Sequence, residues 1–290
     1  LPGASTTALI LQRIRDVMTT GPEHSWGDVV CIETDVASAF RHIPIRPADR
    51  KYCVNCINTP SGPRLVAHRR LPFGLRSSPL LWVRPCASEA RLAKRIFAQC
   101  DNRAEGLQLY IDDRNYFCLR VHAARRLVGL LLLDAVLGIQ DSYEKIRVSE
   151  FPVILGFQWD LRDNTVGIAK GKAEAIVSDI ERILAAASEQ SKVPVPLLKT
   201  VTGRLSWACH VAKLLKPRLR SLYACKAVAE RLDCRTIALS EEAKSDLDFF
   251  RAVLREELSD TEATDLYPKG SSLARIPASF LLGWGSKLGR

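Results

Sequence analysis

The sequence predicts an α+β fold: an antiparallel sheet packed on helices, followed by an α-helical region. Three observations carry this. Two β-rich runs, Val29 to Asp35 and Leu109 to Asp113, each end in acid. Segments of helical spacing lie before, between and after them. From Lys170 onward the apolar pattern is helical, with Ala173, Ile176, Val177, Ile180, Ile183 and Leu184 recurring at i, i+3, i+4 and i+7.

Taken in order, Ile10, Leu11, Ile14, Val17 and Met18 have helical spacing over residues 8–18, and Gly21-Pro22 ends that helix before the Val29 strand. After Asp35 the stretch Val36 to Arg41 is short and irregular. Ile43-Pro44-Ile45 opens an excursion through Tyr52 to Ile57. Pro60-Ser61-Gly62-Pro63 turns it, and Leu65 to Arg70 returns as the second strand of a β-hairpin.

Leu71 to Pro79 reads as a loop from its Pro and Gly content. It feeds a helix from about Pro79 to Gln99, with Ser78 as N-cap, Pro79 at the first helical position and Pro85 expected to kink the helix. The segment from Tyr110 to Leu119 forms a hairpin whose tip carries Asp112 and Asp113. A helix over Ala123 to Leu137 and strands near Val148 and from Val153 to Trp159 complete this part. A second helix of the later region opens after Val193-Pro194-Val195-Pro196. Beyond Arg235 the chain turns acidic, with one amphipathic helix around Leu247, Phe250 and Leu254, and residues 267–290 carry no pattern. The expected division is 1–165, 170–232 and an acidic tail over 233–290.

At 290 residues and 47% hydrophobic content the chain can bury a real core. Its net charge of +10 points to a polyanionic partner, nucleic acid ahead of a membrane surface. The longest apolar run, Leu127 to Ile139, is interrupted by Asp134 and reads as a buried helix too short to span a bilayer. Nine cysteines without framework spacing, and no signal peptide, predict reduced thiols in an intracellular, non-secreted protein. Cys53 and Cys56 lack the second ligand pair of a zinc ribbon and read as strand residues. The chain opens on Leu1 and reads as a fragment of something longer.

Charge clusters in two places. Lys192 to Lys226 contains eight basic residues and no acid, a bias that favours phosphate contact over a solvated face of mixed sign. Asp112 and Asp113 repel one another, and a fold tolerates such pairs mainly where cations neutralise them; Asp35, at the end of the other acidic strand, would be a third carboxylate. Two strands with acidic ends outline a metal site.

Five motifs in order, Asp35-Val-Ala-Ser-Ala-Phe40, Leu71-Pro-Phe-Gly-Leu-Arg-Ser-Ser-Pro79, Tyr110-Ile-Asp-Asp113, Glu144-Lys145 and Ile154-Leu-Gly-Phe157, resemble the motif series of reverse transcriptases. Their wording is closest to long-terminal-repeat and tyrosine-recombinase retrotransposon polyproteins. The later Thr202-Gly-Arg-Leu-Ser-Trp207 is similar to the thumb of such elements, and the resemblance covers about residues 25–225.

The resemblance implies a right-hand polymerase palm with partial fingers over 1–165 and a helical thumb over 170–232. It implies an RNA-directed DNA polymerase of a retroelement, with an RNA or DNA template, a primer and deoxynucleoside triphosphates as partners and no membrane. Two Mg2+ ions, or Mn2+, would be held by Asp35 and Asp112, with Asp113 near the primer end and the Val36 carbonyl as a further contact; two-metal catalysis clamps the attacking and leaving oxygens. Phe40 falls at the steric gate that excludes a 2′-hydroxyl. Gly74 would allow close backbone approach to the nucleotide beside Phe73, with Arg76 on template or phosphate and Tyr110 opening the acidic motif. Lys145 matches a lysine that protonates departing pyrophosphate. Lys199, Arg204, Lys213, Lys216, Arg218 and Arg220 would face nucleic acid.

Two departures from the family accompany the match. The chain begins after the upstream fingers strands that hold the triphosphate in relatives, and Arg114-Asn115 replaces apolar strand residues after the paired acids, which either weakens the hairpin or reflects local variation. No ribonuclease H opening follows the thumb. A non-catalytic remnant that binds nucleic acid is the alternative reading, and a nucleotide cyclase is a more distant one.

Overall fold

A computed structural model describes residues 3–19, 29–98, 105–262 and 276–277, with backbone alone at residues 19, 98, 256–262 and 276–277. The predicted helix stop at Gly21-Pro22 and the unpatterned stretch from Tyr267, apart from that last pair, lie outside these residues. The chain forms two compact units, Leu1–Pro152 and Val153–Arg290. Residues 153–165, expected with the first unit, therefore belong to the second.

In the first unit, α1 (Ala4–Thr19) precedes β1 (Val29–Asp35), the hairpin β2 (Val54–Thr59) and β3 (Gly62–Ala67), α2 (Ser77–Ala98), β4 (Gly106–Tyr110), β5 (Asp113–Leu119), α3 (Arg120–Leu137) and β6 (Arg147–Ser149). The sheet order is β4-β5-β1-β6, with β1 antiparallel to both neighbours. Val29 to Ile32 are buried on both faces, which is why this central strand reads as a continuous apolar run. Val30, Ile32, Tyr116 and Cys118 pack against Ala93 and Phe97 of α2 and Ala123 and Leu130 of α3.

Two local expectations change. Helix α2 starts one residue before Ser78, so Ser78 is no N-cap; its hydroxyl instead donates to the Pro72 carbonyl at 2.8 Å and closes the preceding loop. The helix runs on through Pro85, which lies on its exposed side. Helix α3 is not buried all round. Its inward stripe is Ala123, Arg126, Leu130 and Asp134, while Val128, Leu132 and Val136 are exposed. A segment apolar on every side has no preferred face, so its polar residues choose one: Arg126 turns in to Glu105 and Asp134 to Arg114. Gly138, at φ 69°, ends the helix in the left-handed conformation that glycine adopts without strain.

The second unit holds β7 (Val153–Ile154), β8 (Phe157–Asp160) and β9 (Thr165–Ile168), joined at the edge by β12 (Ile276–Pro277). Its helices are α4 (Lys170–Gln190), α5 (Val195–Ala208), α6 (Arg220–Arg231) and α7 (Glu241–Glu262), with β10 (Val193–Pro194) pairing β11 (Thr236–Ile237). Ile176, Ile180 and Ile183 of α4, Leu198 and Leu205 of α5, Leu222 of α6 and Leu247 and Phe250 of α7 form one core. The acidic stretch after Arg235 thus contributes an integral helix. Phe157 stacks on Trp207 with ring centroids 4.4 Å apart and planes 14° apart, and Lys172 covers the Trp207 face, so two separate sequence motifs meet here.

The eight cysteines among the described residues are free, with Cys56 in β2. No helix among the described residues is long and apolar enough to cross a membrane.

Candidate metal centre

The last cross-strand pair of β1 and β5 is Asp35 opposite Asp113, and Tyr110 opposite Asp113 closes the β4–β5 hairpin around a two-residue turn of Ile111 and Asp112. Three carboxylates are thereby delivered to one place. Asp35, Asp112 and Asp113 each present an oxygen, and these oxygens lie within 4.8 Å of one another. Hard oxygen ligands gathered in one place could hold a divalent cation. Crowding by surrounding protein, then the charges of Asp112 and Asp35, push the Asp113 carboxyl above its ordinary range.

The turn itself is strained. Ile111 has φ of 60°, an outlier for a β-branched residue, at the first central position of the turn. Helix α2 holds it there: the Trp82 indole donates to the Ile111 carbonyl at 2.8 Å, and the Cys86 thiol reaches the same oxygen at 3.5 Å. Val36 N–H donates to the Asp112 carbonyl at 3.2 Å and ties the turn to the end of β1.

Two side chains donate to Asp35 Oδ2 among the described residues. Ser142 Oγ donates to Oδ2 at 3.1 Å, and Lys145 Nζ stands 2.7 Å from the same oxygen. Lys145 follows Glu144 in the chain, but its salt bridge is to Asp35. That hydrogen bond and charge raise the lysine pKa, so its ammonium stays protonated.

Phe40 is buried in a cluster with Val36, Ala39, Leu71 and Trp82, and its ring meets exposed Phe73 at 4.9 Å. Gly74 has φ of 93°, and a Cβ there would meet nothing within 4 Å, so glycine is required by backbone conformation beside open space. Arg76 is exposed and Tyr110 half-buried.

Sequence reasoning missed what lies beneath the acids. Arg114 is buried, and the β4–β5 pairing runs through it unbroken. Nε donates to Thr34 Oγ1 at 3.0 Å, and the remaining nitrogens bond Glu89 of α2 at 2.8 Å, Asp134 of α3 at 2.6 Å and Asp141. Burial opposes the guanidinium charge, but the three carboxylates outweigh it and raise its pKa. The available signals were the polar interruptions at Arg114 and Asp134 in otherwise apolar segments; they are partners.

The predicted basic surface divides. Lys199 pairs with Glu230 at 3.1 Å, Arg204 with Asp179, and Arg218 with Asp246 at 3.1 Å while lying over Phe249. These acids sit outside the acid-free window, Glu230 close by and Asp179 and Asp246 farther along the chain, and helix packing brings them in. Lys216 and Arg220 are exposed and without an ion pair among the described residues, and Lys213 lies beside them in the chain. A larger excess lies elsewhere. Residues 41–98 contain twelve Lys and Arg against Asp49 and Glu89, a net of +10 equal to that of the whole chain. Apart from half-buried Arg50 these bases are exposed, and none forms an ion pair among the described residues.

Among solved structures, a foamy viral protease-reverse transcriptase (dRH) in complex with double-stranded DNA matches with a TM-score of 0.55 at 16% identity, over 81% of this chain and 38% of that one. A foamy viral protease-reverse transcriptase in complex with an RNA/DNA hybrid matches with a TM-score of 0.55 at 18% identity, over 81% of this chain and 29% of that one. The fold is reverse-transcriptase-like. The chain spans about a third of the length of those proteins. No protein-family model matches the sequence, and no curated protein matches it. Within this reverse-transcriptase-like fold, the β4–β5 turn and the end of β1 are where the carboxylates gather.

Proposed function

We infer that the chain is the polymerase core of an RNA-directed DNA polymerase of a retroelement, with palm and partial fingers in the first unit and thumb helices in the second. The observation that carries this reading is the Asp35, Asp112 and Asp113 cluster on a strand end and an adjoining hairpin turn of a reverse-transcriptase-like fold. Bound divalent ions would supply Lewis-acid stabilisation of the attacking and leaving oxygens in phosphoryl transfer. Asp35 and Asp112 would hold them, Asp113 would stand toward the primer 3′-hydroxyl, and the Val36 carbonyl would add a neutral ligand.

The surrounding side chains have matching tasks. Phe40, fixed by its cluster with its ring beside exposed Phe73, would be the aromatic against which a 2′-hydroxyl clashes, which would favour deoxynucleotides. Gly74 leaves the nucleotide room, and exposed Arg76 is placed to meet phosphate or template. Lys145, kept protonated by Asp35, can deliver a proton to departing pyrophosphate. Template and primer would lie along exposed basic side chains of residues 41–98, with Lys213, Lys216 and Arg220 as a second phosphate contact.

Primer extension on an RNA template with deoxynucleotides and Mg2+ or Mn2+ tests this reading. Extension by the chain and none by Asp112→Asn supports it. Salt-sensitive nucleic-acid binding without extension under any condition overturns it in favour of a binding module.

A further inference from the structure

We propose that Arg114 is a positioning residue for the carboxylate centre, acting through a buried network that locks the register of the two strands on which the acids stand. The proposal rests on the reading of Asp35, Asp112 and Asp113 as a metal centre.

The geometry is specific. Thr34 and Arg114 are cross-strand partners one pair before Asp35 and Asp113. Successive side chains on a strand point to opposite faces, so the acids stand on one face and the Thr34–Arg114 hydrogen bond lies under them on the other. A slip of one residue would carry the acids to the buried side. The Arg114 fork prevents this from four directions: Thr34 in β1, Glu89 in α2, Asp134 in α3 and Asp141 in the following loop. Asp141 bridges Val36, and Ser142 next to it donates its N–H to the Asp35 carbonyl at 2.8 Å and its hydroxyl to Asp35 Oδ2. One guanidinium thus connects the residue after Asp113, the residue before Asp35 and the loop that grips Asp35.

A generic buried ion pair would not need this arrangement. Three carboxylates on one cation leave Glu89 Oε2 and Asp134 Oδ1 buried without a partner among the described residues, an arrangement poorer in stability than an apolar core of the same shape. Arginine's planar fork orients several elements at once, whereas a lysine ammonium would satisfy charge but hold fewer of them in fixed directions.

The test compares wild type, Arg114→Lys and Asp141→Asn by amide hydrogen exchange, thermal unfolding and the Mn2+ concentration needed for half-maximal primer extension. We expect Arg114→Lys to lower the protection of the Val36 and Ser142 amides at least tenfold and to raise the half-maximal Mn2+ concentration at least tenfold. Protection of the Leu198 to Leu205 amides in the second unit should be unchanged. Asp141→Asn, which keeps shape and Arg114, serves if Arg114→Lys does not fold, with smaller changes of the same sign at the same amides. Unchanged Val36 and Ser142 protection in the folded variants overturns the proposal whatever the enzyme does. Lost protection in a chain that extends no primer in wild-type form would uphold the positioning role and sink the metal-centre reading.

Discussion

Arg114 donates to Asp134 Oδ2 across 2.6 Å with both side chains buried, while the second Asp134 oxygen has no partner among the described residues. Burial, then Glu89 and Asp141 against the pull of Arg114, push the Asp134 carboxyl up to about 7. An unfolded aspartate titrates near ~3.9. The folded state therefore binds the extra proton between these values, and this group's contribution to stability falls as pH rises through that window. Asp134→Asn imitates the protonated form. Its melting temperature relative to wild type should rise by at least ~3 °C between pH 5 and pH 8. A pH-independent difference in paired melts would contradict the assignment. Glu33, raised to about 6 by burial against the pull of Arg147, shifts both proteins equally and cancels.

Lys145 is a surface side chain whose partner is Asp35, and exposed pairs contribute little to stability. Lys145→Gln should leave the melting temperature within about 1 °C while lowering the single-turnover extension rate on the order of 10²-fold, the lower range for a lost general acid. A variant of unchanged rate would remove Lys145 from the chemistry.

Nucleic-acid affinity should follow the unpaired bases. Arg64→Glu with Arg69→Glu should reduce the slope of log affinity against log salt by about 2, since each lost phosphate contact removes ~0.9 on duplex. Lys199→Glu, whose partner is Glu230, should change the slope far less. Fluorescence anisotropy over a salt series checks both, and a larger effect from Lys199 would return the surface to the helical region.

The Phe157–Trp207 stack predicts that Trp207→Ala destabilises the second unit by about 2 kcal/mol, because a half-buried indole is lost together with its stacking and its lysine contact. Trp207→Phe should recover about half of that in denaturant unfolding. An equal loss in both variants would mean that the stack contributes nothing beyond volume.

The element order of the first unit, the β2–β3 hairpin and the helical spacing of α4 are legible because local periodicity and turn residues decide them, whereas Asp113, expected at the hairpin tip, stands in β5, and the expected strand from Val153 to Trp159 is two strands turned at Leu155 and Gly156. Motif order also points to Asp35, Asp112 and Asp113 as one group, and they do cluster. What stayed hidden depends on contacts distant in sequence. Asp134 looked like a flaw in an apolar helix and Arg114 like a flaw in a strand, and only packing reveals that each explains the other. The same holds for charge: a window free of acids says nothing of Asp179 or Asp246, which helix packing places beside Arg204 and Arg218. The +10 of residues 41–98 was countable in the sequence, but its lack of ion pairs was not.

The central claim, that Asp112 is a metal ligand in nucleotide transfer, is tested most directly by Asp112→Cys in primer extension with Mg2+ and with thiophilic Cd2+, each rate taken relative to wild type. A thiolate is a poor ligand for Mg2+ and a good one for soft ions. The expected result is loss of extension in Mg2+ and a partial return in Cd2+ that wild type does not share. Extension by Asp112→Cys in Mg2+ at the wild-type rate would contradict it.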